Sequence, residues 1–186
     1  MISGKRIILR AWERSDLDTF MKWFNDPEVT IYLGNAYPSM SRGQEERFFE
    51  EGISEKDRYC IVTKDEGVLI GNCAFHHIDT KNRSTEIGIV IGEKAYWNRG
   101  YGREALGLLL EIAFEGLGLN RVMLRHVDFN ERGHRCYLAA GFVEEGRLRQ
   151  ANFVRGEFRD DILMSVLAQE YFARKKDASS KAGLHK

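Results

Sequence analysis

A net charge is what this 186-residue sequence most plainly lacks, because 28 lysines and arginines balance 28 aspartates and glutamates. Without a basic excess there is no overall footprint for nucleic acid and no general attraction to anionic membranes. Cysteine is scarce as well. Cys60, Cys73 and Cys136 lie far apart, an odd count without the paired spacing of a zinc site or redox motif, so neither a disulfide framework nor a metal centre is expected. A reducing, cytoplasmic setting fits that usage, with the three thiols as small buried apolar groups. No apolar run approaches the roughly 20 residues that span a bilayer, and Met1 to Arg10 lacks the apolar stretch of a signal peptide. Repeats and low-complexity linkers are absent too, which points to a single domain over residues 1–174. Only Lys175 to Lys186 breaks the composition. That segment has too little apolar content to offset the entropy of ordering, and the expectation is a disordered tail.

What is present is a succession of periodic segments. Arg6 to Ala11 reads as a strand. A helix follows, with Ser15 as its cap, Leu17, Phe20, Met21 and Phe24 on one face, and Pro27 preventing continuation. Ser41 with Gln44 forms a capping-box pattern for a second helix that buries Phe48, Phe49 and Ile53. Between the two lies an irregular aromatic loop, Val29 to Met40. Tyr59 to Thr63 and Val68 to Ile78 read as strands joined by a turn at Lys64 to Gly67, and Ser84 to Ile91 as a third strand. Arg103 to Leu117 has helical spacing, closed by Gly116 and Gly118. Arg121 to Val127 returns to strand, Glu131 to Ala140 is a short helix, and Phe142 to Leu167 makes two long strands turning at Val154 to Glu157. This order predicts an α/β fold: one mixed, mostly antiparallel sheet of about seven strands with helices on both faces.

The chemistry concentrates in Trp97-Asn98-Arg99-Gly100-Tyr101-Gly102-Arg103, between a buried strand and an amphipathic helix. A helix N-terminus offers unpaired N–H groups and the positive end of the dipole, and two glycines let the backbone close around phosphate oxygens. Arg99 and Arg103 add positive charge. The same letters formally match a dinucleotide fingerprint, Gly100-x-Gly102-x-x-Ala105. Three features oppose that reading: the loop follows an antiparallel hairpin, no second βαβ half follows, and the first acid after the next strand, Asp128, lies beyond the expected spacing. No Walker A loop exists, for Gly-Lys-Ser/Thr occurs nowhere.

The run EIGIVIGEKAYWNRGYGREAL, with Asn130 and then Tyr137 to Phe142 (YLAAGF), resembles the GCN5-related N-acetyltransferase superfamily. RIILRAWERSDLD and EEGRLRQANFVRGEFRDDILMSVL are similar to its branch of ribosomal-protein N-terminal and spermidine acetyltransferases, and the likeness spans roughly residues 5 to 170. Two positions depart from the family pattern: Trp97 stands where Gln or Arg is usual, and Gly133 where serine is frequent. The resemblance implies acetyl-coenzyme A as cosubstrate and a splayed middle strand whose backbone at Ile89, Val90 and Ile91 pairs with the pantetheine arm. Trp97 to Arg103 would hold the diphosphate, Asn130 the pantetheine region, and Arg132 or Arg135 the nucleotide phosphates.

For the chemistry of acetyl transfer, Tyr137 is the expected proton donor to the departing sulfur and Glu86 the expected base or anchor for the amine. His76, Glu28, Tyr32, Tyr37 and Asp160 are candidates for acceptor contacts. The implied acceptor is a primary amine, either a protein N-terminal α-amine or a polyamine, and a homodimer is implied as a possibility. A competing reading is a non-catalytic acetyl-coenzyme A sensor on the same fold.

Overall fold

Alternation in the first strands divides the core. Ile7 and Leu9 point to one face and Ile8 to the other; Ile61 likewise opposes Cys60 and Val62. In this computed structural model, which describes residues 1–34, 39–54 and 57–183, eight strands form one sheet: β1 (Ile2–Ser3), β2 (Ile7–Arg10), β3 (Arg58–Thr63), β4 (Leu69–Asp79), β5 (Ser84–Ile91), β6 (Arg121–Val127), β7 (Val143–Val154) and β8 (Glu157–Leu167). Their spatial order is β1-β2-β3-β4-β5-β6-β8-β7, and only β5 and β6 run parallel. The eighth strand is the two-residue β1, too short to leave a signal in the sequence.

On one face lie α1 (Leu17–Phe24), the four-residue α2 (Pro27–Thr30) and α3 (Arg42–Ser54). Phe20, Trp23 and Phe49 are buried there against Trp12, Cys60 and Val62. The opposite face carries α4 (Tyr101–Glu111), α5 (Glu131–Ala140) and α6 (Ala168–Gly183). Ala105, Leu106, Leu109 and Leu110 of α4 are fully or nearly fully buried on Ile7, Phe75, Ile87 and Leu124. The last turn of α4 widens into a π-helical segment, Ile112–Gly116, and Gly118 then turns the chain at φ +63°, so the glycine closure acts at the second of the two expected positions.

Four expectations need correction. Ser15 is not the cap of the first helix: Glu13 and Asp16 form the reciprocal box around a 3₁₀ turn, Arg14–Asp16, that leads into α1. The aromatic loop after Pro27 is partly helical, because Asp26 caps α2 by accepting from Glu28 N at 2.9 Å with Pro27 in its first turn. Ile53 is exposed while Phe49 is buried, since the Ser41–Gln44 box, which is present as expected, fixes a rotation that turns Ile53 outward. Finally, Lys175 and the residues to Gly183 continue α6 rather than forming a disordered tail. Tyr171 packs on Phe114 with ring centroids 5.1 Å apart and Lys175 Nζ pairs with Glu115 at 2.6 Å; tertiary contacts anchor a helix whose composition alone would not form it.

Candidate active site

The parallel seam between β5 and β6 is paired only at Ser84↔Arg121, Thr85↔Val122 and Glu86↔Met123. Beyond Glu86 the strands part, although β5 stays paired with β4 through Ile91↔Gly71. The backbone of Ile89, Val90 and Ile91 therefore borders an opening on its β6 side. A cavity of about 580 Å³ runs through this parting from one sheet face to the other. Among the described residues, no helix is long and apolar enough to cross a membrane and no cluster of three metal-ligating side chains occurs.

The glycine loop forms one end of the cavity. Trp97, Asn98, Gly100, Tyr101, Gly102 and Arg103 line it. Asn98 at φ +58° and Gly100 at φ +82° turn the backbone so that Gly100 becomes the N-cap of α4. The first N–H groups of α4 then face the opening without an intrahelical partner. Trp97 Nε1 donates to Ile91 O at 2.6 Å and ties the loop to the strand. Arg99 is exposed; its carbonyl accepts from Arg6 Nη1 at 2.9 Å and its guanidinium lies over Tyr96. The loop is braced by Glu104, whose Oε1 accepts from Arg6 N at 2.7 Å and whose Oε2 pairs with Arg6 Nε at 3.0 Å. Glu104 was invisible as a site residue because its partner stands 98 positions away.

The start of α5 forms the opposite wall. Asn130 is buried and its Oδ1 accepts from Gly133 N at 2.9 Å, making it the helix cap. A Cβ at position 133 would sit 2.6 Å from Asn130 Nδ2, so the serine expected here would require the Asn130 side chain to shift. Arg132 stacks on Trp97 with its guanidinium carbon 3.6 Å from the ring centroid, and on Tyr32 at 4.8 Å. Arg132, expected at the nucleotide phosphates, thus bridges the two walls. Arg135 also lines the cavity, with Glu131 3.4 Å away.

Tyr137 is buried in the cavity wall, and burial pushes its hydroxyl pKa well above the usual tyrosine value. Its ring lies 5.5 Å from that of His126, a cavity residue the sequence reading passed over. His126 Nδ1 is 2.9 Å from Val127 O and Nε2 is 3.1 Å from His134 Nδ1. The carbonyl makes Nδ1 the donor, so Nε2 accepts from His134. Desolvation pushes the His126 pKa down, which favours this neutral form.

On the far face the cavity is lined by Trp12, Phe48, Arg58, Asn72, Ala74, His76 and Arg125. His76 lies in this wall as expected, its ring over Gly88, where a Cβ would come within 2.9 Å of Nε2. Tyr32 lines the rim. Three expected acids do not line it. Glu86 is held by Arg125 at 3.1 Å, and Arg125 rather than Glu86 occupies the wall. Glu28 is ion-paired with Lys94. Asp160 Oδ1 accepts from Gln150 N at 2.9 Å, which commits it to the β7–β8 hairpin. Tyr37 lies outside the described residues. Trp12, Phe48, Arg58 and Arg125 had no local motif to mark them; β-strand register alone brings them together.

Comparison with known proteins gives a consistent result. The profile of the acetyltransferase (GNAT) domain matches residues 6–143. An uncharacterized N-acetyltransferase, YoaA of Bacillus subtilis, is 30% identical over 179 residues, covering 90% of this chain and 96% of its own. The spermidine N(1)-acetyltransferase of Vibrio cholerae is 27% identical over 172 residues, covering 92% and 98%. A crystal structure of the Vibrio cholerae spermidine N-acetyltransferase in complex with CoA and spermine superposes with a TM-score of 0.80 at 27% identity, covering 90% of this chain and 98% of that one.

Proposed function

The chain belongs to the GNAT acetyltransferase family and is an acetyl-coenzyme A-dependent acetyltransferase, and from that premise we propose that it acetylates a primary amine by direct attack, with each step assigned to residues of the seam. The parting of β5 from β6 beside the N-terminus of α4 carries this reading. The residues present fit the cosubstrate. Gly100 at φ +82° opens the helix mouth to an anion, Arg103 lies beside it, and an arm entering the parting would pair with the Ile89 to Ile91 backbone as an added strand. Acetyl-coenzyme A supplies an activated acetyl thioester there.

Tyr137 keeps its proton to high pH and is the group that delivers it to the departing sulfur. Backbone N–H groups of β5 beyond Glu86 supply donors for charge developing on the carbonyl oxygen. Arg132, stacked on Trp97, fixes the separation of the two walls. Glu86 acts through Arg125 as a positioning residue, since their ion pair orients the guanidinium at the acceptor side. The relative named for spermidine supports an amine acceptor, as does the likeness to the N-terminal acetyltransferase branch.

Thiol release from acetyl-coenzyme A, measured over a panel of amines, tests this function. Acceptor-dependent release is the expected result. Tight coenzyme binding without release on any amine would instead favour a non-catalytic holder of the thioester.

A further inference from the structure

A buried pair of imidazoles stands in the cavity wall where an apolar side chain would pack as well. His126 lies on β6 beyond Met123, the last residue of that strand paired with β5, and is 5% exposed. Both of its ring nitrogens are engaged, Nδ1 donating to Val127 O at 2.9 Å and Nε2 accepting from His134 Nδ1 at 3.1 Å. Held at two opposite points, the ring cannot turn without breaking a bond. Burying two polar nitrogens contributes nothing to packing that a leucine would not, and costs free energy unless both find partners. An orienting role accounts for the arrangement better than a space-filling one.

What the ring meets is Tyr137. The two rings are 5.5 Å apart at an interplanar angle of 36°, and Phe142 closes the other side of the phenol at 6.2 Å and 66°. Among the described residues none hydrogen-bonds the Tyr137 hydroxyl. Its direction is therefore set by ring packing, between one buried phenyl and one locked imidazole. The lock comes from the same helix as the phenol. His134 precedes Tyr137 by three positions on α5, so the two side chains share a face and both reach His126. Helix α5 is thus registered on β6 at the place where the hydroxyl stands.

We propose that His126, locked by His134, is the positioning residue for Tyr137 and holds the phenol with its hydroxyl toward the parting of β5 and β6. This rests on the proton-donor role given to Tyr137 above. In the step it serves, the phenol proton passes to sulfur as the thioester C–S bond breaks and the N–C(O) bond forms; the proton lost by the attacking amine nitrogen restores the phenol.

Thiol release from acetyl-coenzyme A tests this, with the fastest acceptor of an amine panel that includes spermidine and a short peptide with a free N-terminus. His134→Leu removes the donor and should lower kcat by about tenfold to a hundredfold, the range for slight misplacement of a reacting group. Acceptor KM and coenzyme A Kd should stay nearly unchanged. His134→Asn, which keeps an N–H donor near the place of Nδ1, should restore most of the rate. Combined with Tyr137→Phe, His134→Leu should slow the reaction no further, because the lock then has no hydroxyl to aim. Where His134→Leu does not fold, His134→Ala makes the same comparison. An unchanged kcat in the donor-less variant, no rescue by asparagine, or full additivity with a slow Tyr137→Phe would each overturn the inference alone. No release by the wild type over the whole panel would overturn the amine-transfer reading and this inference with it.

Discussion

The Arg132 guanidinium carbon lies 3.6 Å from the centroid of the Trp97 ring, joining the loop before α4 to the first turn of α5 across the cavity. Desolvation pushes the Arg132 pKa down, yet a guanidinium stays charged at any physiological pH. Both ends of this contact flank the opening between β5 and β6. Arg132→Ala should therefore weaken coenzyme A binding by about tenfold, the order of a desolvated cation–π contact, and should change kcat less. Titration calorimetry with coenzyme A gives the comparison; an unchanged Kd would mean that the clamp is not coupled to the site.

Gly100 is the backbone position on which the proposed diphosphate site depends. Its φ of +82° costs an L-residue roughly 1–2 kcal/mol, and a Cβ there would sit 3.2 Å from Arg6 Nη2. Gly100→Ala should lower Tm by about 2–8 °C and weaken coenzyme binding by more than the loss of stability explains. Equal coenzyme affinity in the variant would show that the α4 N-terminus is not the diphosphate site.

Tyr137→Phe removes a hydroxyl and little volume. The expected result is a fall in kcat of about 10²-fold or more with coenzyme affinity nearly unchanged. The wild-type rate should also decline only at strongly alkaline pH on account of this group, because burial raises its pKa. Full turnover in the variant would remove Tyr137 from the chemistry.

Glu86→Gln distinguishes a base from a positioning residue. Acting through Arg125, Glu86 should affect the acceptor KM several-fold and leave the shape of the pH-rate profile unaltered. Loss of the acidic limb of that profile in the variant would make Glu86 the base after all.

Asp16 is a structural counterpart with a pH signature. Burial pushes its carboxyl pKa up, but hydrogen bonds from Arg10 at 2.7 Å to both oxygens, with one from Glu13 N at 2.8 Å, outweigh that and hold it below the ordinary value. A depressed folded-state pKa means that the unfolded chain binds the proton first. The contribution of Asp16 is thus complete above about pH 4 and fades as pH falls through the lowered value. Asp16→Ala should cost about 3–5 kcal/mol by stranding Arg10 and should flatten the acid limb of a Tm-versus-pH curve. A variant with the same acid limb as wild type would contradict this account.

Much of the architecture could be read from the chain because local signals were unambiguous. Arg121–Val127 and Glu131–Ala140 fall where periodicity puts them, as does the turn between β7 and β8. The place of the glycine loop at the start of α4 was readable for the same reason, since its signal lies in consecutive residues. Little could be read where distant residues decide a side chain's surroundings. Glu86, Glu28 and Asp160 looked like acids for a cationic substrate, and only the fold reveals Arg125, Lys94 and Gln150 as their partners. Arg58 and Trp12 were passed over because their neighbourhood is made by cross-strand register. The continuation of α6 past Lys175 likewise depends on Glu115, sixty positions earlier.

The three paired positions at the closed end of the β5–β6 seam act as the spine of a book whose leaves are β1 to β5 and β6 to β8. Thr85 and Val122 sit in that spine, both buried, on the side away from the glycine loop. A bulkier or smaller side chain at either place would change the angle between the leaves, and hence the fit of every occupant, without touching any of them. Tolerance to substitution in this enzyme should therefore be lowest at a corner that meets no substrate.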